Sequence, residues 1–186
     1  MRKESITFGI AGLIIGFLLG ILVEGKLMER HGVPVPLTAQ SGGAMLNPAA
    51  MNTRIAELAR LALKDPTNAQ GWAALGNAYF DAHNPQKAVQ AYAKALQLNP
   101  NDPNVLTDQG VMFRALGFFD KALDNFEKAN RLNPHHLQSL FNSGIVYAVD
   151  LKQPAKARPI FEQVARLAGG SDLGNQARDM LQQLPK

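Results

Sequence analysis

The stretch 69–102 recurs twice further along the chain at an offset of 34 residues, and no other feature of the sequence restricts its fold as much. Trp72 falls on Leu106 and Leu140, Gly76 on Gly110 and Gly144, and Tyr79 on Phe113 and Tyr147. Ala88 likewise falls on Ala122, Tyr92 on Phe126, Ala95 on Ala129 and Pro100 on Pro134. A supersecondary unit repeated at this length stacks into an open helical solenoid instead of closing a single core. Each unit reads as two amphipathic helices: 69–82 with 86–98, 103–116 with 120–132, and 137–150 with 154–167.

The residues held in register are those that helix packing needs. A glycine inside a helix costs about 1 kcal/mol relative to alanine, so Gly76, Gly110 and Gly144 imply that another helix comes close at these points. Ala88, Ala95, Ala122 and Ala129 leave room for neighbours, and Pro100 and Pro134 stop each second helix. In the third unit Ala157 and Phe161 come one residue late relative to Tyr147, which predicts a one-residue insertion between 150 and 154.

Both flanks read as covers for the open ends of the stack. Asn47-Pro48 supplies an N-cap and an N1 proline, and Met51, Ile55, Leu58, Ala59 and Ala62 follow at helical spacing up to Pro66. This is a half-unit preceding the first full one. After Gly169-Gly170, the residues Leu173, Ala177, Met180, Leu181 and Leu184 form one apolar face of a capping helix over 171–184.

Residues 6–23 carry no charge, and eighteen helical residues reach about 27 Å, close to the thickness of a bilayer's hydrocarbon core. The segment is expected to be a single transmembrane helix preceded by a cytoplasmic N-terminus, residues 1–5. Its apolar run is longer than that of a cleaved signal peptide, and 23–27 offers no small-x-small cleavage site. Gly12, Gly16 and Gly20 fall on one face and permit self-association of the span, hence a homo-oligomer. Residues 24–46 then form a juxtamembrane segment and a linker broken by Pro34, Pro36, Gly42 and Gly43. This places the repeat domain, 47–186, on the periplasmic or extracytoplasmic side of a bacterial inner membrane.

Composition removes several function classes. From Met51 onward there are 15 Lys or Arg against 12 Asp or Glu, interspersed, which gives little basis for nucleic-acid binding. No cysteine is present, so thiol chemistry and cysteine metal sites are excluded. His135-His136 lies in a turn between units without a second pair at ligand spacing, and no metal is expected there. There is no nucleophile elbow, P-loop or dinucleotide glycine pattern, so neither an enzyme nor a cofactor is expected. Lys87, Lys94, Asp124 and Lys128 on the second helices read as a solvated face.

The repeated residues resemble the tetratricopeptide repeat, whose signature is Trp-x2-Leu-Gly-x2-Tyr followed by Ala, Phe, Ala and Pro at fixed offsets. The unit 69–102 matches nearly every position; 103–136 has Leu106 and Gln109 for Trp and Leu, and 137–170 has Leu140 and Ser143 there. The resemblance implies an all-α solenoid whose first helices line a concave groove for a peptide or protein partner. The groove positions carried onto this chain include Asn77, Phe80 and Asp81, then Asp108, Val111 and Arg114, then Phe141, Asn142 and Ile145. Phe80, Val111, Phe141 and Ile145 are suited to apolar side chains, and Asn77, Arg114 and Asn142 to a peptide backbone or terminus. The alternative for Phe141 and Ile145 is packing against the capping helix. Members that hold the C-terminal tails of heat-shock chaperones resemble one another in a clamp of Lys, Asn and Arg. Here the matching positions are Ala73, Asn77, Asp108, Gln138 and Asn142, of which only Asn77 agrees, and Asp108 repels a carboxylate. One span, a linker and a short stack are together similar to the repeat-bearing subunits of cytochrome c maturation systems. The expected function is thus a membrane-anchored adaptor of the cell envelope, with apocytochrome holding as its narrower form. The alternative is a structural protein that assembles with an envelope, pilus or secretion complex.

Overall fold

The computed structural model describes residues 47–185, all within the compact unit Gly43–Lys186. The expected membrane span, its glycine face and the linker lie outside the described residues. Among the described residues, no helix is long and apolar enough to cross a membrane.

Eight α-helices follow one another: α1 Pro48–Lys64, α2 Ala69–Asp81, α3 Pro85–Leu98, α4 Pro103–Ala115, α5 Phe119–Leu132, α6 Leu137–Ile145, α7 Pro154–Ala168 and α8 Asp172–Gln183. The described residues hold no strand. The starts are set by local chemistry. Asn47 accepts from the Ala49 amide at 3.0 Å, Asn68 from Gly71 at 3.0 Å, and Asp102 from Asn104 at 3.0 Å and Val105 at 3.1 Å. Each such bond satisfies an amide that the first helical turn leaves without a partner. Four helices also begin on proline, whose fixed φ suits the first helical residue.

Each helix packs chiefly on its neighbours in sequence, with α2, α4, α6 and α8 also touching in succession, so these four make one layer of the solenoid and α1, α3, α5 and α7 the other. The layers are joined by one recurring contact. The rings of Tyr92, Phe126 and Phe161 are fully buried, and each lies against the bare backbone of Gly76, Gly110 or Gly144. A Cβ at Gly110 would lie 2.5 Å from the Phe126 ring and one at Gly144 2.7 Å from Phe161. Ala88, Ala122 and Ala157, all without exposed surface, let the same helices close behind the rings.

The third unit differs in its backbone. In the first two, the amides of Ala82 and Leu116 donate to the carbonyls of Ala78 and Met112, four residues back. In the third, Leu151 donates to Val146, five residues back, through the π-helical turn Val146–Asp150. The left-handed residue that ends the first helix of each unit is displaced by the same step, being His83, Gly117 and then Lys152. The extra residue is therefore absorbed between Val146 and Leu151, upstream of the expected 150–154, because widening one helical turn preserves the packing on either side.

α8 closes the end of the stack. Leu173, Ala177, Met180, Leu181 and Leu184 pack with Phe141, Phe161 and Val164. At the other end, Ala62 is buried with Leu75 and Ala91, and the Trp72 indole donates to the Pro66 carbonyl at 3.1 Å, tying α2 to the end of α1.

Candidate functional site

The first helices supply one layer of the stack, and a recess opens on it where α1, α2, α3 and α4 meet. Arg54, Asn77, Phe80, Asp81, Tyr92 and Asp108 line a pocket of about 320 Å³. Four of these were expected at the groove: Asn77, Phe80, Asp81 and Asp108. Arg54 comes from α1 and Tyr92 from α3, neither of which belongs to the row of first helices.

Tyr92 reaches the pocket because its ring fills the core under Gly76 while its hydroxyl extends past it. The hydroxyl donates to Asn77 Oδ1 at 2.8 Å, fixing the amide on the pocket wall. Burial, and then the Asp108 and Asp81 carboxylates, push the Tyr92 hydroxyl well above its ordinary range, so it remains a donor. Asp108 is pushed up to about 6, first by burial and then by Asp102 and Asp81. Arg54 lies 3.8 Å from Asp81, and with both side chains half exposed the pair is held weakly.

The remaining groove candidates lie in different settings. Arg114 donates from Nε to Asp150 Oδ2 at 2.5 Å and from Nη2 to Oδ1 at 3.3 Å, a two-point pair with Asp150 only 17% exposed. Its guanidinium is thus occupied by the chain itself. Val111 packs along the cores of the first and second units. Phe141 is 8% exposed and meets Phe161 edge-on at a centroid distance of 5.5 Å, and Ile145 packs on the same cluster. These two side chains serve the contact with α7 and α8, the alternative that the sequence had left open. Asn142 is half-buried, with Gln138 Nε2 at 3.4 Å from its Oδ1.

Elsewhere, His136 is held between units, with Nε2 at 3.0 Å from Asn104 Oδ1. No group of three metal-ligating side chains occurs among the described residues. On the second helices, Lys87, Lys121 and Lys156 place their ammonium groups 5.5, 5.5 and 5.3 Å from the ring centroids of Tyr79, Phe113 and Tyr147. These lysines hold the turn inside each unit. A lysine eight or nine residues after the aromatic is the sequence signal, and it follows the register shift of the third unit.

Stacked helix pairs with a recessed inner layer define an α-solenoid built for contact with other polypeptides. The chain belongs to the tetratricopeptide repeat family, whose profiles match residues 69–102 and 107–172. Among curated relatives, the human "Protein O-mannosyl-transferase TMTC1" is 32% identical over 112 residues, 58% of this chain and 13% of that protein. "Photosystem I assembly protein Ycf3" of Acaryochloris marina is 33% identical over 79 residues, 41% of this chain and 48% of that one. "Hsp70-Hsp90 organizing protein 3" of Arabidopsis thaliana is 26% identical over 99 residues, 53% of this chain and 18% of that one. The chain spans less than two thirds of the length of each. Among solved structures, MamA superposes with a TM-score of 0.59 at 18% identity, covering 73% of this chain and 87% of that one. PilF of Pseudomonas aeruginosa gives 0.59 at 23% identity, covering 74% and 70%. At these identities the two structures share the fold.

Proposed function

We propose that this protein is a non-catalytic adaptor that holds a segment of a partner polypeptide along the inner layer of its repeats, with the pocket of the first unit as the principal subsite. The observation that carries this reading is the pocket itself. Asn77, Phe80, Asp81 and Asp108 come from two successive units and converge on one recess that the chain leaves unfilled. Relatives named for organising chaperones and for assembling a photosystem are in keeping with the handling of client polypeptides.

Residues 6–23 anchor the adaptor in a bacterial inner membrane, with the repeats on the extracytoplasmic side. The support is the uncharged apolar run and the linker that follows it. In this setting an apocytochrome awaiting haem attachment is a fitting client. The full-length chain in detergent is expected to bind fluorescein-labelled C-terminal peptides of apocytochromes c, and alkaline extraction of membranes is expected to leave it in the pellet.

A photo-crosslinking residue at Asn77, compared with one at Lys94 on an outer helix, tests the groove directly. Adducts are expected at Asn77 and not at Lys94. Adducts of equal yield at Lys94, accompanied by self-association of the full chain in sedimentation, would favour assembly through the outer faces instead.

A further inference from the structure

The charged groups of the inner layer do not balance. Arg114 is paired with Asp150, and Arg54 lies beside Asp81, but among the described residues no cation pairs with Asp108 and no donor bonds its carboxylate. The groups that face it are Arg54 from α1, Asp81 from α2, the Tyr92 hydroxyl from α3 and Asp102 at the start of α4. Of the charged groups that line the pocket itself, Arg54, Asp81 and Asp108 leave it one negative charge in excess, and Asp102 adds to the repulsion from beyond its wall. A bound carboxylate would add a second, next to groups that already repel one another. An apolar side chain would bury Asp108 further without neutralising it.

We propose that this pocket takes one basic side chain, lysine or arginine, of the held peptide, with Asp108 as its counter-charge and Phe80 as the wall against its methylene stem. This rests on the reading that the inner layer holds a peptide. Lysine and arginine bury their aliphatic stems along apolar surface while the charged head meets a polar partner, which matches a recess that carries both. Asn77 Oδ1, which accepts from the Tyr92 hydroxyl at 2.8 Å, keeps a second lone pair for a donor at the rim. Binding requires the ionised form of Asp108, whose pKa is about 6 in the free protein, so acidification weakens it.

The probe is a positional-scanning library of acetylated, amidated heptapeptides applied to the immobilised full-length chain, with hits measured by fluorescence anisotropy. Bound peptides are expected to favour Lys or Arg at one position. Replacing that residue by glutamine is expected to lower affinity at least tenfold, and moving from pH 7.5 to 5.0 at least fivefold. Asp108→Asn is expected to erase both the preference and the pH response, Asp108→Glu to retain them, and the outer-helix Asp124→Asn to leave both unchanged. Thermal melts monitor folding, and Asp108→Glu keeps the comparison decisive if Asp108→Asn alters it. Peptides that compete at Asn77 without a basic preference, or a preference that survives Asp108→Asn, overturn this inference and leave the adaptor reading standing. A library that yields no binder overturns both.

Discussion

The second-helix ring that fills each repeat is Tyr92 in the first unit and Phe161 in the third, and the two ends of the groove differ accordingly. Tyr92 bonds Asn77 on the inner layer, whereas Ile145 takes the position of Asn77 opposite Phe161. The middle unit follows the third, with Val111 and Phe126. Hydroxyl and amide occur together in one unit, and apolar pairs occupy the other two. At the first unit the core therefore presents a polar group to the groove, and the recess beside it stays open. At the third unit the same positions are spent on packing α7 and α8, and Phe141 goes with them. One repeat scaffold thus carries an open polar recess at one end and closed apolar packing at the other.

Truncation of the rings should show the largest effect. Phe161→Ala removes a fully buried ring and is expected to cost about 3–5 kcal/mol in urea denaturation. Tyr92→Phe keeps its ring and loses only a bond to an exposed amide, so about 0.5–1 kcal/mol is expected. A Tyr92→Phe cost as large as that of Phe161→Ala would erase the distinction between the two ends. Between these extremes lies Arg114→Ala, which leaves the mostly buried Asp150 carboxylate without its partner. About 1–2 kcal/mol is expected, discounted for the partial exposure of the arginine.

Asp108→Asn sharpens the comparison from the opposite direction, since it is expected to stabilise the protein. The folded-state pKa of Asp108, about 6, is above the ordinary aspartate value of 3.8. A raised carboxyl pKa destabilises the fold when the group is ionised, and the penalty disappears below the unfolded pKa. With discounting for solvent, the variant should gain about 1 kcal/mol at pH 7.5. The gain should shrink as pH falls from 6 to 4 and be absent below that, as read by thermal melts across the range. A gain unchanged at pH 3.5 would mean that the carboxylate carries no penalty. An acid retained at a cost in stability is the pattern expected of a residue kept for recognition.

The helical framework was legible in the sequence because glycine, alanine and proline at fixed offsets are packing requirements, and packing is what sets a repeat. The helices expected at 69–82 and 120–132 lie at Ala69–Asp81 and Phe119–Leu132. The inner layer was legible only as a list of positions. Whether a position is open depends on what lies across from it: Phe141 is covered by α7 and α8, and Arg114 is occupied by a carboxylate two helices away. Arg54 escaped notice because α1 was read only as a cover for the stack. Tyr92 did so because an aromatic in a repeat register reads as core, which its ring is. Its hydroxyl is distinguishable only when Asn77, Val111 and Ile145 are compared with the rings beneath them.

The π turn at Val146–Asp150 makes the third unit tolerant of a change in length. Removing Val149 would return the spacing from Tyr147 to Ala157 to that of the first two units and let Val146 bond four residues ahead, as Ala78 and Met112 do. The same deletion would rotate Asp150 by about 100°, one residue's share of a helical turn, away from Arg114. A single codon would then trade a regular helix for an open arginine in the middle of the groove, where an acidic peptide side chain could dock. A change of one residue in chain length at this turn, without any substitution, would thus alter the charge that the first-helix layer presents.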